Sequence, residues 1–191
     1  DKTLAKDLYS THYKDKKFFT PWMKMEDKGF LDVLKWKLSP KANYTNQEKT
    51  FLPRLIPNTA KRIKQTQGDF ILWIGHNTFL IRIDGSYWLT DPIFSKRALL
   101  PARKTPPALT LKAFNTLVKD VNIVISHSHY DHLDRPTMKD LPQYSKVFVP
   151  KGLKNVVMGM NKTNVHEMDW WEEFKIGNGS KLICLPAQHW S

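Results

Sequence analysis

Three histidines and one aspartate lie within six residues of one another, at His127, His129, Asp131 and His132. Alternate residues of an extended chain point to the same side, so the imidazoles of His127 and His129 can converge on one metal ion. Asp131 and His132 follow where the loop turns, and they can serve a second ion. Neutral imidazoles with a carboxylate suit Zn²⁺ best, although the same ligands also accommodate Fe or Mn. The spacing therefore predicts a metal site rather than a chance cluster on a surface loop.

The element that must position these side chains is the strand directly before them, a buried apolar run at residues 121–125. A strand end that leads into a tight loop is where α/β folds place reactive groups. Further apolar runs predict strands at 70–74, 79–83, 87–90, 147–149 and 182–185, with a hairpin turn at Asp84-Gly85 and a helix within 110–119. Strands that alternate with helix-length stretches indicate a layered α/β domain.

The 191 residues suit one main domain, which we assign to residues 68–191, preceded by an extension over residues 1–67. Prolines break the extension into loops around a helical pattern at 30–36. Its aromatic residues predict that it packs onto the main body, and the alternative is a lipid-facing surface of aromatics among lysines. These aromatic residues are Phe18, Phe19, Trp22, Phe30 and Trp36.

The net charge of +12 is unevenly distributed. Residues 1–67 hold 15 Lys and Arg against 7 Asp and Glu, a net charge of +8, whereas residues 68–191 hold 15 against 11, a net charge of +4. Such a basic excess fits an anionic partner, namely a phospholipid surface, nucleic acid or an anionic substrate, and it equally fits a solvated surface that keeps the protein soluble. No nucleic-acid-binding motif is found, so we expect no nucleic-acid partner.

The sequence leaves the compartment and the oligomeric state open. Its one cysteine, Cys184, excludes an internal disulfide, and the apolar run around it predicts a buried, unreactive thiol. No window approaches the ~18 apolar residues that a spanning helix needs, and no signal peptide is visible. Because the first residue is Asp1 rather than Met, we expect that an upstream segment was cleaved off or is not included in this sequence. Peripheral membrane association or a cytoplasmic location is the expectation.

The run from His127 to His132 matches the His-x-His-x-Asp-His motif, and on this motif the chain resembles the metallo-β-lactamase-fold hydrolases. Other segments narrow the resemblance to the branch of N-acyl-phosphatidylethanolamine-hydrolysing phospholipase D and its bacterial relatives. Those segments are Trp-Ile-Gly-His-Asn-Thr at 73–78, Leu-Thr-Asp-Pro-Ile-Phe-Ser at 89–95, Pro-Pro at 106–107, Asp-Trp-Trp-Glu at 169–172 and Pro-Ala-Gln-His-Trp-Ser at 186–191. The resemblance implies an αββα sandwich.

The resemblance also implies a ligand set for two zinc ions. His127, His129 and His189 would bind the first ion, and Asp131 and His132 the second. The family pattern adds a bridging aspartate and a last histidine further along, whereas this chain ends at Ser191, two residues after His189. We therefore expect residues 68–191 to be the N-terminal part of the sandwich, and the 191-residue chain alone to be nearly inactive.

Three further residues are assigned roles near the metals. Asp91 resembles an aspartate that orients a ligand imidazole through its free N–H, with a turn cap as the alternative. His76 is placed near the mouth of the metal site, with a structural histidine as the alternative. Tyr130 is expected to line the substrate pocket, whereas His12 and His166 are expected to be non-ligands.

The function implied by the resemblance is hydrolysis of N-acyl-phosphatidylethanolamine to an N-acylethanolamine and a phosphatidic acid on an anionic membrane surface. A two-metal site activates water as the nucleophile, so no Ser or Cys is required, and Asp131 can both coordinate metal and accept a proton. The alternatives are a soluble metal-dependent hydrolase of a lactone or small phosphoester, and a nuclease of the same superfamily. A further hypothesis is that the chain binds metal poorly and has no activity.

Overall fold

The computed structural model describes residues 11–21, 29–98, 102–176, 179–187 and 189. The chain forms two compact units, Asp1–Leu52 and Pro53–Ser191. The first unit contains an antiparallel hairpin and two helices. These are β1 (Tyr13–Lys14), β2 (Lys17–Phe18), α1 (Phe30–Leu38) and α2 (Asn46–Thr50). The helix predicted at 30–36 is confirmed. No described helix is both long and apolar enough to cross a membrane.

The aromatic side chains of the first unit differ in exposure. Phe18 packs edge to face against Tyr13 in the hairpin, with ring centroids 4.8 Å apart. Phe30 is 80% exposed and Trp36 is 66% exposed, whereas Trp22 lies outside the described residues. The packing of the extension onto the main body stays a prediction.

The second unit begins at Pro53, and a short helix near its start contributes to its core. This helix, α3 (Thr59–Gln65), buries Ile63 in the main hydrophobic cluster. The remaining elements are β3 (Phe70–Gly75), β4 (Thr78–Ile83), β5 (Ser86–Thr90), α4 (Leu111–Leu117), β6 (Asn122–Val124), α5 (Arg135–Asp140), β7 (Lys146–Pro150), α6 (Lys154–Met158), β8 (Asn164–Met168), β9 (Glu173–Lys175) and β10 (Lys181–Ile183). The predicted strands, and the predicted helix within 110–119, are confirmed.

A six-stranded mixed sheet in the order β3-β4-β5-β6-β7-β8 forms the centre of this unit. Strands β3, β4 and β5 are antiparallel neighbours, and β5, β6, β7 and β8 run parallel. Strand β8 was not predicted, because its sequence, Asn-Val-His-Glu-Met, lacks the apolar run that marks the buried strands. The parallel part of the sheet places the C-terminal ends of β5 and β6 at one edge, which becomes the site described below.

Both faces of the sheet are apolar, and they have different partners. Leu89 and Val147 point into a core that also contains Phe114 of α4, so the helices cover this face. Their sequence neighbours Trp88 and Phe148 point to the opposite face and pack there in a second cluster with residues of β9 and β10. One helical layer, the central sheet and the two-stranded ribbon β9–β10 therefore form an α/β arrangement, and the mixed sheet agrees with the predicted partial αββα sandwich.

Candidate metal centre

The loop after β6 carries the histidine motif, and a tight turn closes it. The backbone N–H of His132 and the backbone N–H of Leu133 both donate to the carbonyl oxygen of His129, at 3.0 and 2.8 Å. Leu133 is buried and anchors the turn to the core. The turn places the residues after His129 back beside the strand ends, so donors from both halves of the motif face the same edge of the sheet.

His127, His129 and His189 form the first group of donors. Nδ1 of His129 lies 3.0 Å from Nε2 of His127 and 3.2 Å from Nε2 of His189. Nitrogens that each lie ~2.0–2.1 Å from a tetrahedral zinc ion are about 3.3 Å apart, so the spacing of these donors fits one ion. His189 belongs to the predicted motif at 186–191, of which Gln188, Trp190 and Ser191 lie outside the described residues.

His76, Asp131 and His132 form the second group, within which all ligand atoms lie within 4.8 Å of one another. Nε2 of His76 lies 2.8 Å from Oδ2 of Asp131, and Nε2 of His132 lies 3.7 Å from the same oxygen. His76 stands in the turn between β3 and β4 with a positive φ of 52°, and the indole Nε1–H of Trp73 donates to its carbonyl oxygen at 2.7 Å. The structure thus places His76 among the donors themselves.

Asp91 is the buried residue that connects the two strand ends. Its Oδ1 accepts the backbone N–H of Ser126 at 2.7 Å, and its Oδ2 accepts the Ser126 hydroxyl at 2.7 Å and lies 2.9 Å from Nδ1 of His132. A carboxylate at Nδ1 keeps the proton there and leaves Nε2 free as a metal donor. These contacts favour the orienting role over the turn cap.

The electrostatics of the site favour the protonation states that a cation requires. Partial burial and the neighbouring imidazoles of His132, His129 and His189 lower the pKa of His127 to about 4. Burial and the charge of His189 also lower the pKa of His129. Burial acts to raise the pKa of Asp131, but backbone and His76 hydrogen bonds and the neighbouring imidazoles bring it below its ordinary value. At neutral pH the site therefore presents neutral His127 and His129 imidazoles and an ionised Asp131 carboxylate, which are the forms that bind metal.

The other residues considered in the sequence analysis do not belong to either of the two described donor groups. Tyr130 is exposed, and its place in a substrate pocket stays a prediction. His166 stacks on Phe148, with Nε2 2.8 Å from Oδ1 of Asn164, and does not join either described donor group. His12 stacks on Phe18 in the first unit. Cys184 is half-buried, and burial raises the pKa of its thiol.

Two residues near the metal donors were missed from the sequence. Ser126 connects Asp91 to His127, because its hydroxyl also lies 2.8 Å from Nδ1 of His127. Nδ2 of Asn77 lies 3.1 Å from Nε2 of His132, a contact that the sequence analysis did not predict. The position of Ser126 between a predicted strand and the first histidine could have indicated its role, and Asn77 was marked only by its place in the segment 73–78.

Comparisons with known proteins identify the superfamily to which this chain belongs. The family model described as the beta-lactamase superfamily domain matches residues 87–191, more than half of the chain, so the chain belongs to that superfamily. Within it, the chain is 36% identical over 148 residues to N-acyl-phosphatidylethanolamine-hydrolyzing phospholipase D 1 of Caenorhabditis elegans, covering 69% of this chain and 40% of that protein. It is 32% identical over 133 residues to the yeast protein named N-acyl-phosphatidylethanolamine-hydrolyzing phospholipase D, mitochondrial, covering 62% of this chain and 27% of that protein.

Part of the chain is similar to a solved structure. A possible metal-dependent hydrolase from Veillonella parvula superposes with a TM-score of 0.49 at 17% sequence identity, over 59% of this chain and 45% of that chain. The present chain spans 40% or less of the two phospholipase D relatives it matches.

Proposed function

We propose that the chain carries the metal-binding part of a zinc-dependent phosphodiesterase of the phospholipase D type, which hydrolyses N-acyl-phosphatidylethanolamine to an N-acylethanolamine and a phosphatidic acid. The observation that carries the proposal is the pair of adjacent donor groups built on one sheet edge. The identity of 36% to a relative named for this activity supports the substrate. Two neighbouring donor groups suit a phosphodiester, because two ions can neutralise charge on both the attacking and the leaving oxygen.

Specific residues of this chain have distinct roles in the proposed reaction. His127, His129 and His189 would hold one ion, and Asp131 and His132, with His76 beside them, the other. When bound, the ions supply Lewis acidity and make water acidic enough to attack at neutral pH. Asp131, which is ionised at neutral pH, can accept the proton from the attacking water at a carboxylate oxygen.

Features of the first unit support a membrane-surface location for this activity. Helix α1 exposes Phe30 and Trp36 and carries Lys35 and Lys37 in its last turn. Aromatic and basic side chains on one short helix suit the interface of an anionic bilayer, and residues 1–67 carry a net charge of +8. We propose peripheral association with phospholipid on this basis.

The test is release of N-acylethanolamine from vesicles of N-acyl-phosphatidylethanolamine by the complete protein in the presence of zinc. We expect release that a chelator abolishes and that zinc restores. The variant His129→Ala should lose nearly all activity, because His129 contacts both other donors of its group, and His12→Ala should keep it. A protein that leaves the lipid intact but cleaves a lactone or RNA would contradict the proposal.

A further inference from the structure

An apolar groove of about 320 Å³ lies in the second unit, along the edge strand β3. The groove is lined by Leu55 and Ile56 from the chain before α3 and by Ile71 and Trp73 of β3. Pro106, in the loop before α4, also lines it. Ile71 is 71% exposed and Trp73 is 47% exposed, so these large apolar surfaces face an open groove. Contiguous exposed apolar surface of this kind is typical of a binding site.

The groove is continuous with the metal centre through one residue. His76 lines its inner end, and the Nε2 atom of the same side chain lies 2.8 Å from Oδ2 of Asp131. Trp73 both lines the groove and holds the turn that carries His76, through its indole hydrogen bond of 2.7 Å to the His76 carbonyl. A molecule that reaches His76 in the groove would therefore lie beside the second donor group.

A cation stands at the same inner end. The guanidinium of Arg103 lines the groove, and Nη2 lies 3.6 Å from where a Cβ on Gly75, the neighbour of His76, would be. Nη2 donates to the carbonyl of Ile93 at 3.2 Å, whereas the buried Nη1 has no hydrogen-bond partner among the described residues. The hydrogen bond to Ile93 holds the guanidinium at the groove, where its positive charge would attract an anionic ligand group.

We propose that this groove binds one acyl chain of the phospholipid substrate, with the phosphodiester at the His76 and Arg103 end and the chain running along Ile71 towards Leu55. The inference rests on the proposed function, because it names where that substrate's chain lies. A volume of about 320 Å³ is near the lower limit of ~300–1,000 Å³ for ligand pockets, which suits a single chain. Apolar walls favour a chain, and the cation at one end fixes its direction.

The experiment measures affinity, so it does not depend on turnover. Monoacyl glycerophosphoethanolamines with butanoyl, hexanoyl and octanoyl chains, each below its micellar concentration, are titrated calorimetrically into the protein with zinc. Complete burial of one methylene tightens binding about fourfold, so we expect a two- to fourfold gain per methylene in this open groove. The variant Ile71→Gln should remove at least half of that gain, and the matched variant Ile83→Gln, exposed on β4 outside the groove, should keep it.

A second variant separates the two ends of the groove. Arg103→Lys should weaken all three homologues by a similar factor of about ten, because it changes only the end near the phosphodiester. An affinity that does not depend on chain length, or an equal gain in Ile71→Gln and Ile83→Gln, would overturn the groove assignment. If vesicles are hydrolysed but the gain is absent, only the groove is wrong. If the protein neither binds glycerophosphoethanolamine nor hydrolyses vesicles, the proposed function fails as well.

Discussion

Replacing Asp91 by Asn removes the negative charge that holds His132 in position, without adding backbone strain. The φ of Asp91 is 35°, and Asn tolerates this left-handed region as readily as Asp. The amide oxygen can still accept the backbone N–H of Ser126. The amide nitrogen, however, then faces Nδ1 of His132 and donates to it, so the imidazole proton moves to Nε2. A protonated Nε2 cannot bind a metal ion.

The size of the effect follows from the contacts that Asp91 makes. Loss of a residue that orients a metal ligand costs ~10–100-fold in metal affinity, and we expect a loss in this range for the ion at His132. In the metal-free protein, loss of the charge-assisted contact at 2.9 Å should lower the free energy of unfolding by about 2 kcal/mol. For a protein of this size, about 2 kcal/mol corresponds to a melting temperature lower by roughly 4–8 °C.

Zinc affinity is measured by competition with a chromogenic chelator, and the tautomer of His132 by ¹⁵N chemical shifts of its imidazole. Asp120→Asn is the matched control, because Asp120 is exposed after α4 and the substitution removes the same charge. We expect Asp120→Asn to behave as the unsubstituted protein in both measurements. Unchanged zinc affinity in Asp91→Asn, or a His132 that keeps its proton on Nδ1, would refute the orienting role.

Three further outcomes are expected. The pKa of His127 is lowered to about 4, below its ordinary value of 6.5, so the unfolded chain binds a proton at higher pH than the folded protein does. The free energy of unfolding of the metal-free protein should therefore fall as the pH drops from about 6.5 to 4. Urea unfolding should show a smaller fall in His127→Ala, and an equal fall would contradict the assignment. Burial raises the pKa of Cys184, so iodoacetamide at pH 8 should alkylate it more slowly in the folded protein than in urea, and equal rates would contradict its burial. Phe114→Ala should lower the free energy of unfolding by ~3–5 kcal/mol, because Phe114 is fully buried. Phe51 is exposed, so Phe51→Ala should change the free energy of unfolding by less than ~0.5 kcal/mol. Similar effects of the two substitutions would contradict the packing of α4.

Much of the fold could be predicted because hydrophobic runs and turn residues are local signals. The apolar run before His127 indicated β6, and the Asp84-Gly85 pair indicated the turn between β4 and β5. Elements were missed where the local signal was weak. Helix α3 buries Ile63 with few other apolar residues around it, and no helix was predicted there. Strand β9, with the sequence Glu-Phe-Lys, had no apolar run at all.

By itself, the sequence determined which residue types could bind metal, since the spacing of His127, His129, Asp131 and His132 is a property of the chain alone. The convergence of distant residues was decided by tertiary structure. Parallel pairing of β5 with β6 aligns Thr90 with Val124 and so brings Asp91 to Ser126, and the turn after β3 carries His76 to Asp131. Such contacts depend on strand order and register, which are set by packing of the whole sheet and leave no local pattern in the sequence.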